Sequence, residues 1–284
     1  MDILSYFFSQ LYIMSQDIKL RKFNMKQIKN DEVCVFIGKR NTGKSFCLKD
    51  LLYHHQDIPS GTVISSTEEA NRFFGDFVPP LFIHNDFSPE ILENVFQRQK
   101  SMKAKKQTDP YKYKDLNMTT FLVFDDLMFA ANKWIRDKNV SRIFMNGRHY
   151  NILFLLTMQY PLGVPPALRT SMDWIFIFRE AYVKNRQRLY ENYAGMFPSF
   201  NIFCQVMDQM TDDYGCLVVH NSARSNKLED QVFYYKATEH PPFRLCNQQA
   251  WEYSYARLQQ DQNPYRDQKK GISITVKRDT NYDN

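Results

Sequence analysis

Glycine is scarce in this chain, at 9 of 284 residues, and tryptophan scarcer, at 3. That excludes a collagen-like or low-complexity polymer. Cysteine is also sparse: Cys34, Cys47, Cys204, Cys216 and Cys246 are odd in number, scattered and never spaced as CxxC. Neither a disulfide framework nor a zinc site is suggested by them. No stretch approaches a membrane span. The apolar opening "MDILSYFFSQLYIM" carries Asp2 in place of a basic leader, lacks a small-residue cleavage site and is too short to cross a bilayer. Residues 1–24 are therefore expected to be an amphipathic or frayed lead-in to a soluble intracellular protein. A large excess of one charge is missing too. The net charge is +6, which does not by itself announce a nucleic-acid binder, so the distribution has to decide. What the chain does have is 43% hydrophobic residues, with 23 Phe and 17 Tyr. That is the composition of a packed protein, and the length suits one α/β domain with additions.

Short runs ending in turn residues alternate with helical periodicity. "VCVFIG" (33–38) reads as a strand, and "SFCLKDLLYHH" after it as a helix. "GTVISS" (61–66) and "PLFIHN" (80–85) read as further strands. A helix follows with Ser88 as N-cap and Pro89 at its first position. "TTFLVFDD" (119–126), "NILFLLTMQ" (151–159) and "MDWIFIFRE" (172–180) are nearly continuous apolar runs, as expected for strands buried on both faces of a parallel sheet. The alternation predicts α/β architecture with right-handed crossovers. Beyond residue 180 the pattern turns helical, broken near Gly195 and Pro198. It closes with a strand pair at 215–221 and 230–237. Residues 25–246 form the expected domain, and 247–284, polar and poor in core residues, a loosely held tail.

"GKRNTGKS" fits G-x-x-x-x-G-K-[S/T] and lies between a predicted strand and a predicted helix, the context that this phosphate loop requires. Its members Gly38, Lys39, Arg40, Asn41, Thr42, Gly43, Lys44 and Ser45 are the expected ATP-binding residues. Gly38 and Gly43 let backbone N–H groups turn inward around phosphate, and the helix N-terminus favours the anion. Lys44 reaches the β and γ oxygens, and Ser45 offers a hydroxyl to Mg²⁺. Such a site needs a second strand beside the loop strand, bringing one carboxylate to the magnesium and another to the attacking water. "FLVFDDLM" supplies Asp125 for the metal and Asp126 for the water, both expected to be ionised by magnesium and Lys44.

These blocks, together with "NGRHYNILFLLTMQYPLGVPPALRTSMDWIFIFRE" and "EDQVFYYKATEHPPFRL", resemble the FtsK/HerA superfamily of DNA-pumping ATPases. Within it they are similar to the poxvirus-type genome-packaging ATPases of large double-stranded DNA viruses, from about residue 23 to 245. The resemblance implies a RecA-like P-loop NTPase with a central, mostly parallel sheet flanked by helices and a C-terminal strand pair. It implies a Mg²⁺-dependent ATPase that packages viral DNA, a homo-oligomeric ring, capsid or portal partners, and work in the host cytoplasm at viral assembly sites or on the virion. Gln159 takes the sensor position, on a strand between those of the phosphate loop and the acidic pair. Arg169, or alternatively Arg148, is the candidate finger for a neighbouring subunit's site. Asp126 departs from the usual glutamate, and the shorter side chain makes Glu68 or Glu69 a candidate assistant, unless these two merely start a helix.

A basic connection at 98–115 concentrates Lys100, Lys103, Lys105 and Lys106. It is either a mobile grip on DNA phosphates or a solvated insertion. Lys184, Arg186 and Arg188 form a second cluster facing either DNA or a neighbouring subunit. A P-loop nucleoside or nucleotide kinase and a non-catalytic ATP-binding scaffold are the competing functions.

Overall fold

The computed structural model describes residues 18–127 and 131–261. The apolar opening and residues 262–284 of the expected tail lie outside them. The described strands are β1 (Arg21–Lys22), β2 (Val33–Ile37), β3 (Gly61–Ser65), β4 (Ile83–His84), β5 (Thr120–Asp125), β6 (Ile152–Met158), β7 (Trp174–Phe178), β8 (Gly215–His220) and β9 (Val232–Lys236). They form one sheet in the order β1-β9-β8-β7-β2-β6-β5-β3-β4. Six strands from β4 to β7 pair in parallel. β8 is antiparallel to both β7 and β9, and β1 joins β9 in parallel. This is the expected mostly parallel sheet with a C-terminal strand pair.

The longer helices are α1 (Lys44–Tyr53), α2 (Pro89–Thr108), α3 (Lys138–Asn146), α4 (Val183–Tyr193), α5 (Phe200–Met210) and α6 (Gln248–Asp261). They cover both faces of the sheet, which is why its central strands read as unbroken apolar runs. Alternate residues of β2 divide between two cores. Val33, Val35 and Ile37 pack with Val95 and Phe96 of α2, Ile143 of α3, Leu189 of α4 and Phe203 of α5. Cys34 and Phe36 pack with Leu48, Leu51 and Leu52 of α1 and with Phe74, Phe77 and Leu245.

Five expectations change. Only Ile83–His84 of the third predicted strand pairs, because Pro80–Phe82 forms a 3-10 turn. Ser88 holds the N-cap position of α2, but its hydroxyl bonds the Glu90 carboxylate and caps no backbone N–H. The basic connection is not all loop: α2 runs to Thr108, so Lys100, Lys103, Lys105 and Lys106 are carried on its C-terminal half. The expected loose tail is, over α6, a packed helix. Trp251 and Ser254 are buried, the Trp251 indole donates to the Leu245 carbonyl, and the Leu81 amide donates to Ser254 Oγ. At the other end, part of the expected lead-in enters the sheet as β1, and Phe23 is buried.

Candidate nucleotide site

The phosphate loop leaves β2 at Gly38, whose amide donates to the Met158 carbonyl on β6 at 3.0 Å. A Cβ on Gly38 would lie 2.6 Å from Phe178 Cβ and 2.7 Å from Thr42 Oγ1, so only glycine fits there. Gly43 caps α1 with φ 95°, in the left-handed region that glycine alone adopts freely. The loop therefore has the two backbone corners that the motif requires, and α1 starts at Lys44 as expected. Lys44 Nζ donates to the Lys39 carbonyl at 2.7 Å. Burial lowers its pKa, Asp126 and Asp125 pull it back up, and Arg40 adds a smaller lowering effect. A phosphate arriving here would meet an ammonium that has already lost much of its water. Lys39 turns away to Glu180 at 2.6 Å and lies 3.6 Å over the Tyr182 ring.

The acidic strand does not lie directly beside β2. β6 intervenes, as the sensor position of Gln159 implies. Asp125 ends β5 and is buried. Its Oδ1 accepts from Thr157 Oγ1 at 2.9 Å and its Oδ2 from Ser65 Oγ at 3.1 Å. Burial raises the pKa of this carboxyl, and the two hydroxyl bonds only partly oppose that. The protein alone therefore does not hold it as firmly ionised as expected; a cation would have to complete that. Asp126 follows with φ 50°, a left-handed bend that turns its side chain out of the strand. Its amide donates to Thr157 Oγ1 at 3.0 Å and its carbonyl accepts from Ser66 Oγ at 2.8 Å. Gln159 Nε2 donates to Asp126 Oδ1 at 2.5 Å, and Arg40 lies 4.0 Å from Asp126 Oδ2.

Arg40, Asn41, Gly43, Lys44, Ser45, Asp125, Asp126 and Gln159 all line one cavity of about 630 Å³. Eight sequence-predicted residues from three strand ends thus meet. Thr157, Thr67, Asn71, Phe46, Tyr214, Lys236 and Ala237 line it too and were not anticipated. Thr157 could have been noticed as the lone hydroxyl in an apolar strand. Tyr214 and Lys236 carry no motif and are brought in only by the β8–β9 hairpin.

Other candidates lie elsewhere. Glu68 is buried and its carboxylate accepts from the amides of Phe74 and Gly75, while Glu69 is exposed; both start the short helix Glu68–Asn71. Arg169 donates from Nε to the Val164 carbonyl at 2.8 Å and from NH1 to Asn192. Arg148 pairs with Asp173 at 3.0 Å, and Asp173 accepts from the Val33 amide. That places Arg148 where β2 and β6 begin, about 20 Å from the strand tips by strand rise. Arg186 is tied to Asp208, Arg188 lies 5.3 Å over the Tyr160 ring, and Lys184 is exposed.

A phosphate loop on one strand, an acidic pair two strands away and a glutamine on the strand between them define the class: this is a P-loop ATPase. Residues 20–240 match the family described as Poxvirus A32 protein, and the chain belongs to that family, the packaging-ATPase group that its motifs resemble. Among its relatives are protein L437 of Acanthamoeba polyphaga mimivirus, 36% identical over 221 residues that make up 78% of each chain. Protein 075L of Invertebrate iridescent virus 6 is 37% identical over 224 residues, 78% of this chain and 83% of that one. Among solved structures, the genome packaging NTPase B204 of Sulfolobus turreted icosahedral virus 2 in complex with AMP aligns with a TM-score of 0.49 at 14% identity. It covers 75% of this chain and 100% of B204, and at that level no residue role is transferred.

Proposed function

We propose that the chain is a Mg²⁺-dependent ATPase motor that drives double-stranded DNA into a viral capsid as a homo-oligomeric ring. Membership of the A32 family supports the packaging role. The observation that carries the chemistry is the bond from Gln159 Nε2 to Asp126 Oδ1, made in the cavity that also holds Lys44 and Ser45.

The oxygen donors Ser45 and Asp125, both lining that cavity, suit a hard cation such as Mg²⁺. Bound there with ATP, the cation would offset charge on the phosphate oxygens. The chain's own residues do the rest. Backbone N–H groups of the phosphate loop and Lys44 hold the triphosphate, and burial strengthens the lysine's pull. Asp126 accepts the proton of the attacking water. The Gln159 amide orients Asp126 beforehand and can exchange that bond for one to the γ-phosphate, so bond exchange at the tip of β6 registers hydrolysis. The shorter Asp126, on its left-handed backbone, still lines the cavity.

DNA would be gripped by Lys100 and Lys103, which with Arg142 and His149 line a basic groove of about 430 Å³, and by Lys105 and Lys106 beyond it. Contacts to phosphates alone suit a sequence-independent pump. Among the described residues no helix is long and apolar enough to cross a membrane. Assembly sites in the host cytoplasm, with capsid or portal proteins as partners, fit the reading.

The test is ATP turnover with and without double-stranded DNA for the native chain and Asp126→Asn. DNA-stimulated turnover that falls roughly a hundredfold or more in the variant is expected. Equal turnover in the two proteins overturns the catalytic assignment. Phosphoryl transfer to a nucleoside without DNA stimulation would make the protein a kinase.

A further inference from the structure

On the far side of α1 from its phosphate loop, Asp50, His54 and His240 converge, with one ligand-capable atom of each lying within 4.8 Å of the others. Asp50 Oδ1 is 2.6 Å from His240 Nε2 and 3.5 Å from His54 Nε2. We infer that this is a second metal site, for a transition-metal dication of the zinc type, separate from the nucleotide cavity.

Four observations carry it. The first is chemical: two imidazoles and one carboxylate form a donor set chosen by zinc and its neighbours in the first transition row, and refused by Mg²⁺. Cysteine spacing excludes only thiolate-based zinc. The second is helical: Asp50 on α1 and His54, the helix's C-cap residue in right-handed helical backbone, are four residues apart, which stacks their side chains on one face. The third is burial and outer support. Asp50 is 1% exposed, and its Oδ2 accepts from the Tyr235 hydroxyl at 2.6 Å and from the Thr238 amide at 3.1 Å. Metal-ligating carboxylates are held in this way by partners that fix their free oxygen. The fourth is the setting of the imidazoles. Tyr53 stacks on His240 with ring centroids 3.7 Å apart, and Phe243 packs against Tyr53.

The distances fit. Ligand atoms 2.0–2.1 Å from a tetrahedral ion stand about 3.3 Å apart. The His54 contact is already near that value, and the His240 contact has to open by under 1 Å. It does so when the hydrogen between Nε2 and Asp50 leaves for Nδ1, the tautomer in which Nε2 is free to bind. Thr238 Oγ1, 3.3 Å from the same nitrogen, would then turn aside. Three protein ligands leave a fourth position for water. Such an ion would clasp residues 238–243 to α1. Lys236 and Ala237, just before that segment, line the nucleotide cavity.

The experiment uses the full chain, stripped with a chelator and titrated with Co²⁺ in the absence of nucleotide. The expected result is one equivalent of Co²⁺ bound with visible d–d absorption, displaced by Zn²⁺ and retained in Asp125→Asn. His54→Gln and His240→Gln, each checked for cooperative thermal unfolding without metal, should lose at least tenfold in affinity. Tyr235→Phe should lose roughly 10- to 100-fold. Zn²⁺ should raise the Tm of the native chain and leave that of His54→Gln unmoved. Absence of stoichiometric uptake, uptake that survives both histidine variants, or uptake that vanishes in Asp125→Asn overturns the assignment. None of these readouts depends on ATP turnover, so the motor reading stands or falls separately.

Discussion

Thr157→Val would test whether one hydroxyl holds the acidic pair in place. Thr157 is 1% exposed; its Oγ1 donates to Asp125 Oδ1 and accepts from the Asp126 amide. Valine keeps the shape and removes both bonds. A hydrogen bond to a carboxylate contributes about 1.5–3 kcal/mol, and an orphaned buried N–H costs about 1–3 kcal/mol. Part of this is recovered, because Asp125 can protonate in response. A net loss of about 3 kcal/mol is expected, which for a domain of this size lowers Tm by roughly 6–12 °C. Asp126 would also lose a restraint on its left-handed backbone, so kcat should fall at least tenfold, about 1.4 kcal/mol in the barrier. Affinity for ATP without Mg²⁺ should hold, since the phosphate loop is untouched. Differential scanning calorimetry and steady-state turnover measure the two effects, and Thr157→Ser, which keeps the hydroxyl, is the control. A valine variant with Tm within about 2 °C of native and unchanged kcat would refute the reasoning.

Gly43→Ala places a side chain at φ 95° and a Cβ 3.3 Å from Tyr214 Cβ, so it should cost about 1–2 kcal/mol in stability and abolish binding of a fluorescent ATP analogue. Tight binding in that variant would count against the loop geometry. Replacing Lys100, Lys103, Lys105 and Lys106 by Gln should flatten the dependence of log Kobs for DNA on log salt by about 3 to 4 if all four touch phosphates. An unchanged slope would remove α2 from the DNA path. The Asp125 carboxyl has a folded pKa raised above its unfolded value by burial. Its contribution to stability is therefore present below the unfolded pKa and is lost as pH rises through the folded one, when nothing is bound. Mg²⁺ needs the ionised form, so Mg²⁺ affinity measured by calorimetry should climb as pH rises through that raised folded pKa. Asp125→Asn should show no such climb.

Much of this site can be read from residue order because its parts are local. A phosphate loop is eight consecutive residues between a strand and a helix, and the acids are adjacent on one strand, so spacing alone exposes them. The sheet is legible for a related reason: strands covered on both faces, such as β5, β6 and β7, leave unbroken apolar runs. What stays hidden depends on contacts across the chain. Thr157 meets Asp125 only because β6 lies beside β5, and Tyr214 stands over Gly43 only because the β8–β9 hairpin folds back. His240 is 190 residues from Asp50. The polarity of 247–261 misled in the opposite direction. A helix that, among its described side chains, fully buries Trp251 and Ser254 and leaves most of the rest exposed has a composition hard to tell from that of a loose tail.

The Gln99 side chain links α2 to the two strands that carry the working residues. Its amide donates to the carbonyls of Met118 and Tyr150, in the segments that lead into β5 and β6. At their other ends those strands carry Asp125 and Gln159. Load applied to the lysines of α2 thus enters both strands end-on. Strands pulled together along their axes load the ladder bonds to their outer neighbours, β2 and β3, in shear, so no single one of those bonds is peeled open before the others. A sheet loaded in that direction is a stiff shaft, of the kind that the proposed motor would need between a DNA grip on α2 and the nucleotide cavity.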